Sequence, residues 1–153
     1  MLTLTKKTEY AMIAACHLAN NSQQIVSARD MSDHFGVRLP LLMNVLKMLN
    51  QAGLLRSVRG ARGGYTLALP PKQISLSLLI EAVEGPPRLV KCALPRKDDP
   101  ECELASGCPV RIPMGKIHRM FRSFLRGISV ADVAFDNKYA GNKRAGARQA
   151  QSR

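Results

Sequence analysis

Along the first third of the chain, apolar residues recur at helical spacing and are interrupted by short polar or glycine segments. From Thr5 to about Ala19, Tyr10, Ile13, Ala14, His17 and Leu18 follow that spacing, and Asn20-Asn21-Ser22 stops the run. The pattern predicts a helix. Ser27 then stands three positions before the acid Asp30, a capping-box-like helix start. Ala28, Met31 and Phe35 make one apolar stripe, and Gly36 follows it, suited to a position where positive φ is cheap. Another helix is expected almost at once, with Pro40 near its first turn. Leu42, Val45, Leu46 and Leu49 share one face; Pro40, Met43, Asn44 and Lys47 share another; Gly53 ends it. Two short helices joined by a tight turn containing glycine form a helix-turn-helix, whose second helix lies in the major groove of DNA.

Beyond Gly53 the pattern changes. Two β-type runs, Leu54 to Arg59 and Tyr65 to Leu69, flank a Gly/Arg turn and read as a hairpin with Arg59 and Arg62 at its tip. Pro70-Pro71 closes that unit, and Ser75 to Val83 reads as a short helix. Leu89 to Cys108 is rich in Cys, Pro, Asp and Gly and has no periodicity. A long helix is then expected from Pro113 to about Arg126, with Met114, Ile117, Met120, Phe121, Phe124 and Leu125 at 3, 4 spacing and Gly127 at its end. Ser129 to Val133 forms a last short turn. The fold class expected is mainly α with a small β-wing: a winged helix-turn-helix over 1–85, a cysteine-containing loop over 86–111, a long dimerisation helix and its following turn over 112–135, and a basic tail over 136–153. The stripe on the long helix is too continuous to leave exposed on a monomer of this size, which points to a homodimer.

Charge sharpens the picture. The 153 residues carry a formal charge of +12, which directs the chain toward nucleic acid or an anionic surface. No stretch reaches the ~18 apolar residues of a bilayer span, and the first residues lack a signal-peptide core, so no membrane partner and a cytoplasmic location are expected. There the four cysteines stay reduced. The tail from Asn137 onward holds five basic residues and no acid, with too little apolar surface to offset ordering entropy. Between Arg29 and Arg62 six basic residues face two acids, the local excess that phosphate neutralisation needs. Arg38, Pro40, Met43, Asn44, Lys47, Arg59 and Arg62 are the candidate DNA-contacting residues. The Asn44 amide suits adenine, Met43 a thymine methyl, and Lys47 a phosphate or guanine. Arg59 and Arg62 suit a narrow minor groove. No C-x-x-C pair, Walker loop or Cys/His/acid arrangement suggests an enzyme.

Taken together, Leu4-Thr-Lys-Lys-Thr-Glu-Tyr-Ala11, Ala52-Gly-Leu-Leu55, Ser57-Val-Arg-Gly-Ala-Arg-Gly-Gly-Tyr65, Ile80-Glu-Ala-Val-Glu-Gly85 and the segment with Cys92, Cys102 and Cys108 make the chain resemble the Rrf2 family of bacterial transcription regulators. The resemblance runs from about residue 3 to 134. It implies a winged helix-turn-helix, a long dimerisation helix and palindromic operators in double-stranded DNA. It also implies, as in many members, an iron–sulfur cluster held by three cysteines in the loop before that helix. The fourth ligand varies within the family and can come from the partner subunit.

Read by themselves, Cys92, Cys102 and Cys108 are spaced C-x9-C-x5-C. Thiolates converging from irregular backbone suit iron–sulfur chemistry; the spacing is not the paired C-x2-C of a zinc ribbon, though zinc stays open. The first gap is longer than is common among the family's cluster binders, which leaves [2Fe–2S] and [4Fe–4S] both open. The resemblance makes Glu9, at the start of the first helix, the candidate fourth ligand; His34 is the next and His118 the last. Cys16, among Ala14, Ala15 and Leu18, reads as a core thiol. The functional expectation is a DNA-binding regulator, a repressor, sensing redox, nitric oxide or iron–sulfur status. The alternative is a cluster-free or zinc-holding regulator answering to a metabolite or a partner protein.

Overall fold

A computed structural model describes residues 4–60, 62–90 and 107–135. Cys92, Cys102 and the basic tail lie outside the described residues. Helix α1 (Lys6–Asn20) starts where the Thr5 hydroxyl accepts the Thr8 amide. Its buried face is small: Thr8, Ala11, Ala14, Ala15, Leu18 and Ala19. Such residues let other helices approach closely. Helix α2 (Ala28–Phe35) is capped by Ser27, whose hydroxyl accepts the Asp30 amide at 3.0 Å. It ends at Gly36, in the left-handed region with φ 63°, a conformation that costs a residue with a Cβ about 1–2 kcal/mol. Helix α3 (Leu39–Gln51) carries Pro40 in its first turn and buries Leu42, Val45, Leu46 and Leu49 completely.

Strands β1 (Leu55–Val58) and β2 (Gly64–Leu67) pair antiparallel, with Leu55 opposite Leu67 and Val58 opposite Gly64. Val26, just before α2, bridges to Tyr65 and lends the hairpin a third extended segment. Gly64 is required there, because a Cβ would run into the Val26 carbonyl oxygen. A short 3-10 turn, Pro71–Gln73, leads into helix α4 (Leu76–Glu84), capped by Ser75.

Helix α5 spans Arg111–Gly127. It begins two residues earlier than its proline suggests, because Pro113 sits in the first turn, whose amides have no intrahelical partner to lose. Helix α6 (Val130–Ala134) is closed by a capping box between Ser129 and Asp132. The chain between α5 and α6 is stitched to the start of α4: the Leu76 amide donates to the Ile128 carbonyl and the Val130 amide to the Ile74 carbonyl. Val130 and Ala131 are therefore buried, and α6 packs against α1. One core, with Leu18, Met31, Leu42, Leu46, Leu49, Ile74 and Leu79 at its centre, joins α1–α4, the hairpin and α6. Helix α5 leans on α4 and contributes only His118 and Leu125 to the buried set.

Candidate nucleic-acid interface

The amphipathic division of α3 comes out as its sequence suggests. With Leu42, Val45, Leu46 and Leu49 inward, Pro40, Met43, Asn44 and Lys47 are all exposed. Met43 keeps 52% of its surface open. The hairpin exposes Arg56, Arg59 and Arg62. The α3 face carries Lys47 and the hairpin Arg56, Arg59 and Arg62, and no acid occurs between Arg38 and Gly64 in the sequence; Asp30 and Asp33 belong to α2.

Side-chain hydrogen bonds secure the segment before α3 and tie α3 to the hairpin. Arg38, the residue before α3, has no side-chain cap of its own; its amide instead donates to the Tyr10 hydroxyl of α1 at 3.2 Å. From the other side, the Ser32 hydroxyl donates to the Val37 carbonyl at 2.7 Å. At the far end of α3 the Asn50 side-chain oxygen accepts the Ser57 amide of β1 at 3.1 Å, tying helix to hairpin. Tyr10 and Asn50 went unnoticed as site residues in the sequence. Tyr10 fits the apolar face of α1, on which its ring does lie. No local pattern shows that its hydroxyl reaches a residue 28 positions away.

The candidate cluster ligands are placed as follows. Cys108 is a half-buried free thiol just before α5, and the Arg111 amide donates to its carbonyl at 3.3 Å. Cys92 and Cys102 lie outside the described residues, and among those described no three His, Cys, Asp or Glu side chains converge as a metal site. Glu9 is part-exposed on the first turn of α1 and paired with Lys6 at 2.6 Å, a contact that raises the Lys6 pKa. His34 is exposed, with its ring centroid 5.3 Å from that of His17, and both rings meet Phe35 edge to face. His118 is 3% exposed, and neither ring nitrogen has a hydrogen-bond partner among the described residues. Burial, then the charges of Arg122 and Arg119, lower its pKa. Cys16 packs against the core and burial pushes its thiol pKa up, as befits a structural thiol.

The apolar stripe expected on α5 divides in two. His118 and Leu125 are buried, with Met114 and Phe121 half-buried beside them. Arg122 reaches Glu81 of α4 at 3.6 Å from that same side. Ile117, Met120 and Phe124 point outward, Met120 and Phe124 with 64% and 63% of their surfaces open, joined by Ile112 at 85%. No helix among the described residues is long and apolar enough to cross a membrane.

Comparison with known proteins agrees with this architecture. A family model described as Rrf2, iron-dependent transcriptional regulator, matches residues 4–136. The HTH-type transcriptional regulator IscR of Aliivibrio salmonicida is 32% identical over 138 residues, covering 90% of this chain and 80% of that protein. The IscR of Vibrio cholerae is 30% identical over the same share of this chain and 78% of its own length. Among solved structures, CymR, the global cysteine regulator of B. subtilis, superimposes with a TM-score of 0.69 at 26% identity, covering 88% of this chain and 97% of that one. T. potens IscR does so with a TM-score of 0.68 at 27% identity, covering 92% and 91%.

Proposed function

Because this chain belongs to the Rrf2 family of DNA-binding transcriptional regulators, and is no enzyme, we propose that it acts as a cytoplasmic homodimer on palindromic operators and represses under the control of an iron–sulfur cluster. The observation that carries the DNA reading is the outward face of α3, where Pro40, Met43, Asn44 and Lys47 are exposed over a fully buried leucine face. Asn44 and Met43 face base edges and Lys47 a phosphate or guanine; Arg38, Arg59 and Arg62 hold the flanking phosphates and the adjoining minor groove. The outward stripe of α5 supplies the dimer contact, so that the two α3 helices meet successive major grooves of a two-fold operator.

The donor set suits the cluster. Cys92, Cys102 and Cys108 offer three soft thiols, and Cys108 is free beside the start of α5. Glu9 of the partner subunit is the proposed fourth ligand, a harder and weaker donor to iron than thiolate. Bound there, the cluster supplies a group sensitive to redox state, nitric oxide and iron supply. The chain's own part is to supply three thiols from the segment that precedes α5 in the sequence and one carboxylate on α1, the helix that also holds Arg38. Names borne by relatives, IscR among them, support the cluster reading. The cluster-free alternative has one observation in its favour. An open groove of about 670 Å³ between α1, α2 and α6, lined by Ile13, Cys16, His17, His34 and Phe35 among others, has room for a small effector.

The test is anaerobic purification with absorbance, iron and sulfide analysis, followed by selection of a binding site from random duplexes. A coloured dimer holding iron and sulfide, and enriching a palindrome, is expected. Cys92→Ala, Cys102→Ala and Cys108→Ala should each lose the colour, Glu9→Ala should change the spectrum while retaining part of it, and Cys16→Ala should leave it intact. A colourless, metal-free protein that still enriches a palindrome would move the reading to the cluster-free regulator. Absence of any sequence preference would end the DNA reading of α3.

A further inference from the structure

We propose that Tyr10 is a positioning residue for DNA recognition: its hydroxyl sets where the N-terminus of the recognition helix lies, and so how well operator is told from other DNA. This rests on the reading of α3 as the recognition helix. The N-terminal end of α3 carries four of the candidate contact residues, Arg38, Pro40, Met43 and Asn44, within about two turns. That end carries no side-chain cap of its own, and Pro40 has no amide with which a neighbour can hold it. The buried face begins only at Leu42.

The linker before α3 is held by its own motif from one side, through Ser32 and Val37. From the other side the Arg38 amide donates to the Tyr10 hydroxyl at 3.2 Å. The Tyr10 ring packs on the core, so the hydroxyl is delivered from a fixed platform rather than from a mobile side chain. Direct readout depends on placing side chains against base edges, whereas phosphate attraction tolerates displacement. Freeing Arg38 from Tyr10 therefore acts on operator binding and spares binding to unrelated sequence.

The experiment compares full-length wild type, Tyr10→Phe and Lys47→Ala by fluorescence anisotropy, on the selected palindrome and on a scrambled duplex, across a salt series. Tyr10→Phe removes one oxygen and keeps the packed ring. Its operator affinity should fall about two- to tenfold, the worth of one hydrogen bond of ordinary strength. Its scrambled-duplex affinity and the slope of log affinity against log salt should be unchanged, because no phosphate contact is lost. Amide hydrogen exchange at Arg38 should quicken while exchange in the α3 interior stays as in wild type, a readout that a general loss of stability would not reproduce. Equal operator affinity in Tyr10→Phe and wild type, alongside a weakened Lys47→Ala, would overturn the proposal while leaving the DNA reading of α3 standing. So would equal loss on both duplexes. Unchanged binding of both duplexes by Lys47→Ala would remove the reading itself and this inference with it.

Discussion

Helices α3 and α5 both show large side chains to solvent, yet they are built on opposite terms. In α3 one face is entirely sealed by Leu42, Val45, Leu46 and Leu49, while Pro40, Met43, Asn44 and Lys47 stand outside. In α5 seventeen residues supply only His118 and Leu125 to the interior, and the outward face is Ile112, Ile117, Met120 and Phe124 among arginines and Lys116. The first helix is paired on one whole face within its own chain and presents a mixed face that includes Asn44 and Lys47. The second is half satisfied and presents grease. Exposure alone therefore does not name a site: the chemistry of the exposed face, judged against how well the opposite face is paired, distinguishes the surface proposed for DNA from the one proposed for a second copy.

The largest effect should come from the sealed face. Leu46 is fully buried at the centre of the core, and Leu46→Ala should cost about 2–5 kcal/mol through lost transfer energy and the cavity left behind. Urea denaturation of dilute and concentrated samples would show that loss at both concentrations. A change under about 1 kcal/mol would mean that α3 is not locked by this face.

Substitution on the outward stripe of α5 should behave differently. Phe124→Asp and Ile117→Asp place a charge where the monomer makes few contacts, so the subunit should stay folded. The dimer should be lost, and operator affinity with it, because each half-site then binds alone. Light scattering and circular dichroism separate the two outcomes. A full-strength dimer in both variants would mean that this stripe is not the interface and that α5 meets something else.

A smaller effect is expected at the DNA surface. Arg62→Ala and Arg59→Ala should each weaken operator binding by about 1–3 kcal/mol if the guanidinium reads a base or a narrow groove. Binding should also fall steeply with salt. Equal losses on operator and random duplex would make these arginines phosphate contacts, and would place the sequence reading wholly on α3.

Much of this contrast was visible in the amino-acid pattern, because α3 is short-range physics. The buried face and Pro40 of α3, like the Ser27 cap and the Gly36 stop of α2, are local signals, and both helices appear where these put them. On α5 the period announced a stripe but not its division, since which of its residues face α4 depends on how the Ile128–Val130 segment is stitched to Ile74 and Leu76. The Tyr10–Arg38 bond was illegible for the same reason: partners 28 residues apart leave no periodic trace. The family's motifs pointed to Cys92, Cys102 and Cys108, and the described residues speak only to the last of them.

The least satisfied residue on the inner side of α5 gives the smallest and most pH-specific effect. His118 is buried with both ring nitrogens unpartnered among the described residues, and its pKa is lowered, first by desolvation and then by Arg122 and Arg119. In the unfolded chain the same imidazole titrates near 6.5. Below that value the unfolded chain takes up a proton that the folded chain resists. The unfolded state therefore binds more protons, and stability rises with pH through this window. The folded form is fully favoured above about pH 6.5 and loses ground as the pH falls below it. Removing the imidazole removes the loss, so His118→Leu should drop less in stability than wild type between pH 7.5 and 5.5. The saving can reach at most about 1.4 kcal/mol, the cost of one pH unit of titration below 6.5. Acids elsewhere contribute to both proteins and cancel in the difference. Parallel pH profiles, measured by urea denaturation at equal subunit concentration, would show that His118 is partnered in solution, by residues outside those described or by a second copy.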